Sequence, residues 1–148
     1  MRSDRTLRDI EVAFRQNAEL LEEAGIDEHD VLPEDLFEYF AGDTPTGDVT
    51  TIGDVLANRW LLLHEVVELK HLKLRGIGIT RDVLWERYED VLEAHVAATA
   101  IELKMALKYD DRKWIKSRVK VITSWLEDPD MPERFRIACE HLLEHYSQ

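Results

Sequence analysis

Apolar residues recur along the chain at helical spacing. Leu7, Ile10, Phe14 and Leu21 share one stripe of a segment from about Asp4 to Ala24. Gly25 follows where a left-handed residue suits a helix end. Pro33 opens a short helix carrying Leu36, Phe37 and Phe40, since its fixed φ fits a first helical turn. Gly42 to Thr50 reads as a loop. Thr51, with Asp54 three residues later, forms a capping box that starts a third helix reaching about Arg75. Gly76-Ile77-Gly78 ends that helix. Thr80 then caps a fourth helix to about Lys108, and Asp110 a fifth to about Glu127. Asp130 with Glu133 starts the last, to about Tyr146. Val119-Lys120-Val121-Ile122 is β-prone but sits inside an amphipathic pattern, so no strand is predicted.

The short connection between the third and fourth helices predicts an antiparallel hairpin. The whole chain, 1–148, reads as a single all-α domain: an antiparallel helical bundle of four to five main helices plus one short helix.

Length and composition narrow the class. A chain of 148 residues can bury a real core, and 45% apolar with 34% charged residues excludes a disordered chain. The net charge of -12 makes nucleic acid and anionic membranes poor partners. No apolar run approaches the roughly 20 residues of a membrane span, and the N-terminus has no apolar signal core. Cys139 is alone and cannot form an internal disulfide. A soluble, cytoplasmic protein is expected. Asn and Gln are confined to Gln16, Asn17, Asn58 and Gln148, while Glu, Lys and Arg abound, a thermophile-like composition.

Charge is uneven. Residues 1–50 hold fourteen acids against four arginines. Lys104, Lys108, Arg112, Lys113, Lys116, Arg118 and Lys120 crowd one later stretch. Such faces attract each other within a monomer or across a homodimer. A phosphate-binding patch is the alternative. Trp60, at the edge of an apolar helix side, points to a subunit interface, so a homo-oligomer is expected.

The informative residues are polar ones in apolar places. His95 and Glu102 fall near the middle of the apolar side of the fourth helix, with Thr99 between them. A buried carboxylate needs a partner or a proton. The third helix is apolar nearly all round, and His64, Glu68 and His71 form a stripe along it. His64, Glu68, His71, His95 and Glu102 are therefore candidate ligands for a divalent metal such as Fe, Zn or Mn, through metal-assisted hydrolysis or oxygen chemistry.

An alternative needs no metal. If the hairpin closes near residues 75–79, paired positions sum to about 154 and Arg59 lies opposite His95. A buried Arg59–His95–Glu102 network would then satisfy every charge in a non-catalytic homodimeric interaction module. The histidine stripe points about 120° away from the Arg59 side, so it should meet another helix or subunit. His141 and His145 on the last helix are candidates to approach it, though they flank its apolar stripe.

Three short patterns resemble known families. Glu68-Leu69-Lys70-His71 has the Glu-x-x-His spacing of ferritin-like di-iron carboxylate bundles. That resemblance implies a second such motif, which only a second copy of the chain could supply, with Glu102 as the extra carboxylate. Glu65 and Glu68, followed by Glu86, Glu89 and Asp90, resemble the Glu-x-x-Glu…Glu-x-x-Asp pattern of the MazG-like and dUTPase-like pyrophosphatases. Asp90 stands one residue beyond the pattern's aspartate. This resemblance implies a magnesium-dependent nucleotide pyrophosphatase. Arg59 and His64 have the Arg-x4-His spacing of HEPN-type ribonucleases, against which the acidic composition argues. There is no Gly-rich phosphate loop and no nucleophile elbow.

Overall fold

The computed structural model describes residues 2–41 and 50–147, with side chains from residue 6 onward. Apart from Thr50, the loop expected at Gly42 to Thr50 lies outside the described residues. The fold is all-α, and among the described residues there is no strand. Among the described residues, five long helices match the four to five expected, but four short ones accompany them rather than one. The extra pieces arise because polar side chains break two predicted helices and the hairpin connection forms a helix of its own.

The first predicted helix is divided into α1 (Arg2–Gln16) and α2 (Ala18–Glu23). At the junction the Asn17 side chain donates Nδ2–H to the Ala13 carbonyl at 2.8 Å, sharing that acceptor with its own backbone N–H at 3.1 Å. Gly25 then takes φ +88°. The Ile26 N–H reaches back to the Leu21 carbonyl at 2.9 Å, closing the helix end as the sequence implied. The short helix α3 (Pro33–Tyr39) begins at the proline.

Thr51 and Asp54 form the reciprocal cap expected of them. The helix they start, α4 (Ile52–Leu56), ends after five residues. Asn58 interrupts it with extended backbone. Its Oδ1 accepts from Trp60 N–H at 2.9 Å and Leu61 N–H at 3.2 Å, starting α5 (Arg59–Leu74) afresh. Replacing Asn58 by alanine strips that cap and is expected to cost about 1 kcal/mol, read as a lower urea midpoint at unchanged slope. A loss below a few tenths would mean that the restart does not depend on the cap.

The stretch after Gly76 holds a single turn, α6 (Val83–Glu86), and Asp82 rather than Thr80 precedes it. Then α7 runs from Tyr88 to Lys108. Asp110 adopts φ +57° as the left-handed residue behind α7, so the cap of α8 (Arg112–Trp125) falls to Asp111, which accepts from Trp114 N–H at 3.1 Å. The last helix, α9 (Glu133–Tyr146), starts after Pro132 without a side-chain cap. Asp130 instead closes a local turn, its N–H donating to Asp128 Oδ1 at 2.9 Å.

α5 and α7 form the most extensive helix pair. His64 meets Glu102, Glu68 meets His95, and Arg75 meets Asp90, so numbers rise along one helix as they fall along the other: the pair is antiparallel. The connection between α5 and α7 is centred on residue 81 rather than 77. The pairs that meet sum to about 165 rather than 154, so the register slides by about eleven residues, three helical turns, from the one first expected. Helices α1 and α4 pack together and α3 and α4 pack on α5, while α8 and α9 pack on α7 and on each other. α5 is thus enclosed on several sides, which explains its unbroken apolar character.

Candidate metal centre

Four of the five candidate ligands come together between α5 and α7. His64 is 2% exposed, Glu68 4% and Glu102 0%. The His95 side chain keeps 29% exposure at the edge of the group. His64 Nε2 and His95 Nδ1 are 3.0 Å apart. Glu68 Oε1 lies 3.0 Å from that His95 nitrogen and 3.4 Å from that His64 nitrogen. Two imidazole nitrogens and one carboxylate oxygen thus form a nearly equilateral triangle, and a metal would take the place of the protons the imidazole nitrogens share there.

The side chains behind the triangle hold its corners. Glu102 is not one of the corners. Its Oε1 lies 2.8 Å from His64 Nδ1, so the carboxylate accepts Nδ1–H and leaves Nε2 facing the triangle. Glu102 is held in turn by α8. Trp114 Nε1–H donates to its Oε2 at 2.8 Å, and Arg118 Nη2 donates to its Oε1 at 3.3 Å. Arg118 Nε lies 2.7 Å from Oε2 as an ion pair, although its N–H is not aimed along a hydrogen bond. The second oxygen of Glu68 accepts the phenol hydrogen of Tyr39, contributed by α3. The His95 ring leans on Trp125, centroids 4.6 Å apart. Thr99, in the same seam, returns its hydroxyl to the His95 carbonyl at 2.8 Å.

His71 does not join. It lies about 10 Å beyond His64 along the α5 axis, seven residues at the helical rise. Its nearest acid is Glu93, with Nε2 and Oε1 3.9 Å apart. Within one chain the Glu-x-x-His spacing therefore does not bring its histidine to the group. The pairing that forms is His64 with Glu68, one turn apart. The acids of the pyrophosphatase-like pattern are not gathered either. Glu68 turns to the histidines, Asp90 pairs with Arg75 at 3.2 Å and Arg87 at 2.8 Å, and exposed Glu89 faces Arg134 at 3.6 Å. Among the described residues, His64, Glu68 and His95 are the group that could hold a metal.

The expected Arg59–His95–Glu102 network is also replaced. The guanidinium of Arg59 stacks on Trp60, 4.3 Å from the ring centroid, and on Tyr109 at 5.2 Å. Arg118 takes its place at Glu102. The slide in register carries Arg59 away from His95, and the histidine stripe faces α7 after all. His141 and His145 stand exposed on α9.

Four partners escaped the sequence reading: Tyr39, Trp114, Arg118 and Trp125. One signal for Arg118 was present. It lies one turn after Trp114 and one turn before buried Ile122 on α8, a cation inside an apolar stripe. No signal marked Tyr39, because its contact spans 29 residues.

The electrostatics follow from this enclosure. Burial pulls the His64 pKa down, but Glu102 and Glu68 outweigh it and push it up to about 10. Burial pushes the Glu68 carboxyl up, and the hydrogen bonds from His64 and His95 hold it well below the ordinary value. Glu102 is likewise held low against burial, by His64, Arg118 and Trp114. Burial and the Glu68 charge raise the Tyr39 phenol, so it remains a donor.

The signs fix a pH dependence. A raised His64 contributes stability fully below its ordinary 6.5 and loses it as pH climbs through about 10. Lowered Glu68 and Glu102 contribute fully above 4.5 and lose it as pH falls. In chelator, the protein should melt at a temperature that declines steadily from neutral pH to about pH 10. His64→Gln should melt lower and lose that decline. Equal alkaline slopes in the two proteins, by circular dichroism, would place the proton elsewhere.

Comparison with protein-family models, with curated proteins and with solved structures finds no match, so the chain is characterised by this geometry alone.

Proposed function

We propose that the chain binds one divalent transition metal through His64 Nε2, Glu68 Oε1 and His95 Nδ1. The donor triangle carries the reading. Its edges of 3.0, 3.0 and 3.4 Å match the separation of about 3.3 Å between ligands placed tetrahedrally around an ion at about 2.0–2.1 Å. Two histidines and one carboxylate on a single face suit zinc, iron(II) and manganese(II), and leave further coordination positions for water or substrate. The Glu102–His64 and Tyr39–Glu68 bonds supply the outer partners that orient such ligands. Metal-assisted hydrolysis and oxygen chemistry are the reaction classes this donor set supports.

Metal analysis of freshly purified protein tests the reading. About one equivalent of metal per chain is expected after growth in metal-replete medium. Substoichiometric metal, with no uptake of added iron, zinc or manganese, would remove it. The second reading, a non-catalytic interaction module with a buried polar network, is favoured by one observation: Glu102 is satisfied by His64, Trp114 and Arg118 without any ion. In that case the polar centre fixes helix register. The same chain is proposed to form a homodimer, and light scattering on the eluting peak would decide it.

A further inference from the structure

Arg59 was singled out by sequence for two roles, and the structure gives it neither. It lines instead a cavity of about 420 Å³ formed by the starts of α5 and α8, with Asn58, Trp60, Asp111, Lys113, Trp114 and Ser117. The volume lies in the range of small-molecule sites.

The charge of this cavity runs against the net charge of the chain. The chain carries -12 overall, yet Arg59 and Lys113 both face the same depression. Neither makes a hydrogen bond or ion pair among the described residues. The acid between them, Asp111, is already engaged. Its Oδ2 accepts Trp60 Nε1–H at 2.8 Å and its Oδ1 accepts Trp114 N–H. Those hydrogen bonds hold its carboxyl low, with Arg59 and Lys113 adding to the effect. The Arg59 guanidinium is fixed in place by its stacking on Trp60 and Tyr109, which leaves its N–H edge free. A pre-set guanidinium beside a lysine is the usual recognition pair for a carboxylate or phosphate. The half-buried Trp114 indole and the Ala57 methyl add apolar wall, which a bare inorganic anion would leave unused.

We infer that this cavity binds a small organic anion, a phosphate or carboxylate attached to a flat ring, through Arg59 and Lys113. The proposal is independent of the metal reading. It shares only Trp114, whose indole N–H holds Glu102.

The test uses the full chain at fixed ionic strength, with phenyl phosphate, benzoate, inorganic phosphate and neutral benzyl alcohol as probes. Binding is followed at the Trp60 and Trp114 indole N–H signals by NMR. Phenyl phosphate or benzoate should shift both signals saturably. Inorganic phosphate should bind at least about tenfold more weakly than the better ring-bearing probe, and benzyl alcohol should leave the signals in place. Arg59→Gln and Lys113→Gln should each weaken binding about tenfold, whereas Arg112→Gln, outside the lining, should leave it unchanged. Two separate variants guard against a folding defect in either, and unchanged melting temperatures confirm it. No saturable shift with any ring-bearing anion overturns the proposal. So does equal binding by the Gln variants, or binding of benzyl alcohol as tight as that of the anions.

Discussion

Exchanging Glu102 for glutamine is expected to cost about 3–5 kcal/mol of folding free energy, a large share of the roughly 5–15 kcal/mol that holds a domain. The reason lies in what would remain. Glu102 receives hydrogen bonds from the His64 imidazole, the Trp114 indole and the Arg118 guanidinium, and it is 0% exposed. A glutamine offers one acceptor oxygen and aims an NH2 group at donors. Arg118, only 12% exposed, would then sit opposite an amide with no countercharge. Breaking one partner of a buried charge pair leaves the other uncompensated, and that is the costly operation. For a chain of this size the melting temperature should fall on the order of 10 °C. Glu89→Gln, on the exposed face of the same helix, should change stability by less than about 0.5 kcal/mol. Urea unfolding of both variants in chelator checks the pair. A loss below about 1 kcal/mol at Glu102 would show that water reaches its partners and that the polar centre is not closed.

Removing the His95 side chain is expected to weaken metal binding by at least about 100-fold, the upper end of what loss of an outer partner alone costs. The fold should survive. His95 is the most exposed of the three donors, so the His95→Ala chain loses its contact with Trp125 but buries no unpaired charge. His71→Ala is the decisive control. It lies on the same α5 stripe as His64 and Glu68, yet the acid facing it among the described residues is Glu93. Cobalt(II) titration followed by visible absorption should show one saturating site in the parent chain and in His71→Ala, and none in His95→Ala at the same concentrations. Equal weakening by both changes would restore the Glu-x-x-His pairing. Undiminished binding in His95→Ala would place the metal elsewhere.

These expectations rest on positions of unequal legibility. The buried status of Glu102 could be read directly, because α7 is apolar around it and the periodicity of a 21-residue helix averages out single exceptions. His64 and Glu68 could be read as buried for a similar reason. What they touch could not. α5 is apolar on nearly every side, so its sequence holds no preferred direction, and an angle measured between two of its faces says nothing about which one meets α7. The partner register failed for a different reason. It was fixed by where the chain turns, and residues 75–87 contain a helical turn, α6, that the glycines at 76 and 78 concealed.

Helix interruptions show the same division. Gly25 and Thr51 act through hydrogen bonds to backbone a few residues away, and both did as their local sequence implied. Asn17 and Asn58 are equally local in mechanism, but an asparagine can cap a helix, bend one or face solvent. The apolar stripe running through each gave no reason to break there.

The sequence by itself determined that the chain is helical, that four to five of its helices are long and that Glu102, His64 and Glu68 must be enclosed. All of these depend on contacts within a few residues or on periodicity along one element. The tertiary structure decided that His95 rather than His71 completes the triangle with His64 and Glu68, that Arg118 rather than Arg59 neutralises Glu102, and that Tyr39 reaches Glu68 from 29 residues away. Those choices follow from the length of one connection and the rotation of one uniformly apolar helix, quantities set by packing across the whole domain.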